Sequence, residues 1–214
     1  MKNKLLIFAL VAGVLISLPF ISRHNGPDNP LFNYPWDITL HESGLTSVFG
    51  LTPGQTTLTE TRRIIGEGMK LALLSVDNEP GSVEMYYSHF TAGRLSGRLI
   101  IVADLDQDKI RSIRQRAVRS GGAHSFRIHY DDLDTVMQAP IKGITFIPIV
   151  DLDEEIIRQR FGKPNDIVSK NNTTLSHYLY PEKGLDIVLD SKGKEVLQYV
   201  APHQFQQLLA PLKQ

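Results

Sequence analysis

The stretch from Asp151 to Val200 sets the terms for any fold this chain can adopt. It opens with DLDEEIIRQRFGKP, a charged helix that stops at Gly162 with Pro164 behind it. LSHYLY follows, then GLDIVLDSKGKEVLQYV, which reads as a β-hairpin. An earlier stretch, Val48 to Ile113, has the same plan. Thr52-Pro53 is a helix start and LTETRRIIG (Leu58 to Gly66) the helix that follows. Leu71 to Val76, Val83 to Phe90 and Leu99 to Leu105 are strand-like. Asp106 to Asp108 is a turn, and Lys109 to Ile113 returns as a strand. Leu99 to Ile113 lies over Leu185 to Tyr199 without gaps, so that Leu99 meets Leu185 and Ile101 meets Ile187; VEMYY lies over LSHYL, so that Tyr86 meets Tyr178, and Gly66 matches Gly162 at the helix stops.

The expected fold class is therefore α+β. Two tandem repeats, residues 48–115 and 151–200, each pack helix on antiparallel sheet behind an N-terminal membrane-targeting helix. Residues 116–150 connect them. In that connector SFRIHY is an edge strand, DDLDTVMQAP a short helix, and Gly143 to Val150 the lead-in to the second repeat. Residues 201–214 form a tail.

The N-terminus decides location. Lys2 and Lys4 precede Leu5 to Ile21, a run that is almost wholly apolar. Residues 1–22 read as a signal peptide or signal anchor. No small-x-small cleavage site stands before Arg23, which favours the uncleaved anchor. The lysines place the N-terminus in the cytoplasm. The globular part is then periplasmic, tethered to the inner membrane, or released into the periplasm if the segment is cleaved. Residues 23–47 carry Pro27, Pro30 and Pro35 and read as an extended lead-in, with Trp36 and Ile38 packing at the domain margin.

Lys+Arg 23 against Asp+Glu 23 leaves no net charge, which disfavours a nucleic-acid partner. With no cysteine in the chain, disulfides, thiol catalysis and Cys-ligated zinc are excluded. Leu10 to Val14 has the form of a lipoprotein processing site, with Val14 where the acylated cysteine would stand.

The helix-Gly-x-Pro stretch, the aromatic strand and the hairpin L-D-I-V-L-D-x-x-G-K-E-V resemble the SmpA/OmlA (BamE-like) family. The tandem arrangement is similar to the β-lactamase inhibitory protein fold. In the SmpA/OmlA family the domain belongs to an outer-membrane lipoprotein of the β-barrel assembly machine. The resemblance implies protein binding or envelope scaffolding, and brings no catalytic motif with it.

No constellation of residues argues for chemistry. Asp104, Asp106 and Asp108 imitate a calcium loop, but Ile110 stands where its glycine belongs and Gln115 where its glutamate belongs. Asp151, Asp153, Glu154 and Glu155 suit the first turn of a helix, where carboxylates complement the macrodipole. His41-Glu42-Ser43-Gly44 lacks a nucleophile elbow. The histidines show no zinc-ligand spacing. Arg111, Arg114, Arg116 and Arg119 read as a solvated edge, with contact to anionic lipid as the alternative. Neither a metal nor a cofactor is expected.

Strand side chains alternate between faces. Val83, Met85 and Tyr87 would then face the helices together with Leu99, Ile101 and Ala103. The opposite face would carry Tyr86, Phe90, Ile100 and Val102 from the first repeat, and Tyr178, Tyr180 and Val188 from the second. An apolar, aromatic face of that extent calls for a cover. The cover is either residues 116–150 or another envelope protein, and these seven residues are the candidate protein-binding set. The rival function is a small-ligand carrier or enzyme working from a groove between the repeats.

Overall fold

The computed structural model describes residues 32–76, 81–122, 124–169 and 174–213. The expected membrane-targeting stretch, residues 1–22, lies outside them. Among the described residues no helix is long and apolar enough to cross a membrane.

Strand dominates, and the α+β expectation is overturned. The elements are β1 (Thr39–Leu40), β2 (Thr46–Ser47), α1 (Leu58–Ile65), β3 (Met69–Leu74), β4 (Ser82–Ala92) and β5 (Leu95–Ala103). Then come α2 (Gln107–Arg116), β6 (Val118–Arg119), β7 (Ser125–Arg127), α3 (Leu133–Met137), β8 (Ile141–Pro148) and α4 (Glu154–Phe161). The chain ends with β9 (Asp166–Ser169), β10 (Leu175–Tyr180), β11 (Leu185–Asp190), β12 (Val196–Val200) and α5 (Gln206–Leu209). Ten of the strands form one antiparallel sheet in the order β6-β7-β3-β4-β5-β8-β12-β11-β10-β9. β1 and β2 pair separately.

Two further expectations fail. Gly143 to Val150 is not a lead-in: most of it is β8, paired with β5 on one side and β12 on the other. Lys109 to Ile113 is not a strand. Asp106 caps α2 by accepting from the Lys109 backbone N–H, and Ile110 and Ile113, one turn apart, are both buried. Residues 116–150 therefore build the sheet instead of covering its second face. β6 and β7 extend it beyond β3, and Ile128, Val136 and Ala139 join the main core.

The β8–β12 junction pairs Ile144 with Tyr199 and Phe146 with Leu197. On either side of it, Tyr87 pairs with Leu99 and Tyr180 with Leu185. The two eight-residue helices, α1 and α4, end alike. Gly66 and Gly162 take positive φ (117° and 84°), a conformation open to glycine at low cost. Their carbonyls accept from the hydroxyls of Tyr87 and Tyr180, each at 3.0 Å. Thr57 and Glu60 form a capping box on α1, and Asp153 accepts from the Ile156 backbone N–H on α4.

The lead-in, from its first described residue, is not a free linker. Phe49 sits among Phe90, Phe146 and Tyr199 with ring centroids 5.1, 5.6 and 5.9 Å away. Trp36 stacks on Tyr34 and meets Phe161 edge-on. Tyr199, fully enclosed, donates to the Pro35 carbonyl at 2.9 Å. Aromatic pairs at such angles add to the area they bury, and they tie residues 32–51 across the middle of the sheet.

Candidate interaction face

The seven expected face residues divide between the two sides of the sheet. Tyr86 and Ile100 pair directly across β4 and β5 and pack with Ile147 and Val196 on the second face. Val102 and Val188 also alternate onto that face and are buried. Tyr178, Tyr180 and Phe90 do not belong with them. Tyr180 bonds to the end of α4 and its ring lies 6.3 Å from Phe161. Tyr178 lies beside Arg158 of the same helix. Phe90 is part of the aromatic cluster around Phe49. All three are buried in the main core.

Two register errors explain the three misplacements. The match of VEMYY to LSHYL set Tyr178 against Tyr86, whereas the shared pairing and hydrogen bonds set Tyr180 against Tyr87. A slip of one residue turns every side chain to the other face. Phe90 is moved by a β-bulge between Tyr87 and Phe90, which consumes an extra residue and inverts the alternation beyond it.

Sequence reasoning missed the polar part of this face. Thr145, Gln198 and Asp186 stand opposite one another on β8, β12 and β11, in the middle of the sheet, and all are buried. His177 Nδ1 lies 2.8 Å from Asp186 Oδ2. The other carboxylate oxygen, Oδ1, is buried and has no hydrogen-bond partner among the described residues. Burial raises the Asp186 carboxyl above its usual range, and the His177 hydrogen bond offsets part of that rise. On β4 the Glu84 carboxyl is pushed up to about 7 by burial, against the lowering effect of the Ser82 hydroxyl that donates to it at 2.7 Å. The available signal was the repeated interruption of apolar strands by acids: Glu84 in SVEMYY and Asp186 in GLDIVL.

One end of the face has a cover from the chain itself. Phe205 and Leu208, in the C-terminal segment, pack on Leu179 and Val200, with Val168, Leu209 and Leu212 around them. Two open cavities lie elsewhere. One of about 420 Å³ is lined by Lys163, Pro164, Asn165, Tyr180, Glu182 and Lys183. One of about 270 Å³ includes Asp153, Ser176, Tyr178, Asp190 and Glu195 in its wall. Neither is lined by Glu84 or Asp186. Among the described residues no group of three acids or histidines is placed to hold a metal ion.

Comparison with known proteins adds little to this geometry. No protein family is matched, and no curated protein is similar enough to count as a relative. A solved structure, a DUF4309 family protein (YjgB) from Bacillus subtilis subsp. subtilis str. 168, is similar over 74% of this chain and 88% of that one. The identity is 14% and the TM-score 0.39, too low to carry fold or function across. None of these comparisons returned an SmpA/OmlA protein.

Proposed function

We propose that this chain is a non-enzymatic binding module of the cell envelope that engages another envelope protein through the second face of its sheet. Residues 1–22 hold it at the inner membrane with the globular part in the periplasm. The observation that supports the reading is the composition of that face. Tyr86 and Val196 are partly exposed beside the buried Ile100 and Ile147, and the Thr145–Gln198–Asp186 row runs through the middle of the sheet alongside. A half-buried tyrosine beside enclosed aliphatic side chains suits a protein interface, because the ring adds contact area and the hydroxyl keeps a hydrogen bond. Buried polar groups next to it reject partners that leave them unpaired. The likeness of Asp151 to Val200 to SmpA/OmlA sequences points the same way.

A photo-crosslinking side chain placed at Tyr86 tests this in intact envelopes. The expected result is one discrete protein adduct, absent when the same side chain replaces exposed Glu155 on α4. Adducts at Glu155 alone, or at neither position, would remove the second face as the contact surface.

A further inference from the structure

We infer a second contact surface, for anionic phospholipid, at the β6 edge of the sheet. It deepens the membrane-held reading above and rests on it, naming the lipid chemistry the globular part meets. The basic residues of this region fall into two groups. Lys109 pairs with Asp106, Arg111 with Asp108 and Arg116 with the buried Asp132. Arg114, Arg119 and Arg127 form no ion pair among the described residues. Arg119 and Arg127 are on the β6–β7 ribbon and Arg114 is on α2, which leads into it. The Arg114 guanidinium lies 3.5 Å from the centroid of the Phe126 ring and that of Arg119 lies 5.5 Å from it. One ring thus receives two guanidiniums, neither of them in an ion pair with a carboxylate among the described residues. Phosphate oxygens would supply the missing counter-charge and use the guanidinium forks of donors.

The surroundings favour a bilayer over a soluble phosphate. β6 is the outermost strand of the sheet. Its Val118 is 55% exposed, and Tyr130, just past the end of β7 and tilted against His129, is 74% exposed. Arg127 pairs with Val118 across the ribbon. Val118 and Arg127 share one face of the ribbon, and Arg119 and Phe126 the other, so the outer strand meets the bilayer edge-on, with arginines at phosphate depth on both faces and Val118 entering the acyl boundary. The tether permits it. Gly93 donates to the Phe32 carbonyl, and Phe32 packs on Phe90 of β4. β4 stands three strands in from β6, about 14 Å at ~4.8 Å per strand. Residues 22–31 can span up to about 33 Å, so an apolar Leu5 to Ile21 seated in the bilayer leaves the β6 edge within reach of it.

The absence of native cysteine makes a single-label test possible. The full chain carrying Val118→Cys with a polarity-sensitive dye is mixed with neutral phosphatidylcholine vesicles, or with vesicles that also contain phosphatidylglycerol. Ile167→Cys on β9, at the opposite edge, is the control. The expected result is a blue shift at position 118 on anionic vesicles only, lost in about 0.5 M salt, where the screening length falls below ~5 Å. Arg114→Glu with Arg119→Glu should lower the ratio of shifted to unshifted probe about tenfold or more, since each basic residue near an anionic surface contributes on the order of fivefold. Arg114→Lys with Arg119→Lys should retain most of the shift, and circular dichroism melting checks that both pairs fold. If the chain binds both vesicle types and position 118 stays in water, the tether stands and the β6 surface is overturned. Failure to bind either vesicle type overturns both. Should inorganic phosphate alone produce the shift, the lipid assignment is overturned in favour of a soluble anion.

Discussion

Glu84 shows how a single side chain on the second face ties stability to pH. Its carboxyl titrates at about 7 in the folded protein, raised from 4.5 by burial. The folded state therefore binds the proton more tightly than the unfolded state. Its contribution is fully favourable below pH 4.5 and is lost as pH rises to about 7. The shift corresponds to on the order of 3 kcal/mol. Glu84→Gln keeps the shape and the oxygen that accepts from Ser82, and has no charge to bury. It should stabilise the protein at pH 8 by a large part of that amount and flatten the stability profile between pH 5 and 7, measured by urea unfolding across pH. An unchanged profile would mean that Glu84 is solvated. The acid itself was visible in the sequence, but its burial was not. Alternation assigns a side chain to a face without saying how deeply the face is enclosed.

At the level of elements, the helix stops were legible and the strand registers were not. Gly66 and Gly162 announced the ends of α1 and α4 because positive φ leaves few alternatives to glycine. The tyrosines that close those ends were one residue out of register in the sequence alignment, since VEMYY and LSHYL match equally well by hydropathy in either frame. Tyr87→Phe and Tyr180→Phe should each cost about 1 kcal/mol by removing the donor to the glycine carbonyl. The two losses should add within ~0.5 kcal/mol, as for sites with no shared partner. Single variants as stable as the parent would show that the hydroxyls are satisfied by water instead, and a double variant no less stable than a single one would contradict their independence. α2 was lost for a related reason. Its short run, QDKIRSIRQR, has only Ile110 and Ile113 to mark a buried face, and it was laid over a hairpin from the other half.

The whole molecule is where sequence and structure part most. Two helix-on-sheet repeats were expected, and one ten-stranded sheet was found, because Ile141 to Pro148 is a strand of that sheet and not a connector. Its apolar run, GITFIPIV, reads equally as a lead-in or as a strand buried on both faces. Only the pairing of β8 with β5 and β12 decides between them. That pairing also joins Tyr86 and Ile100 to Gln198 and Asp186 in a single surface, so the proposed interaction face depends on it. Native-state hydrogen exchange of the full chain tests it most directly. The account predicts that backbone amides of β5, β8, β12 and β11 are the slowest and exchange through one opening with a common free energy. Fast exchange in β8 and β12, with separate opening free energies for β3 to β5 and for β9 to β11, would contradict a continuous sheet and the face built on it.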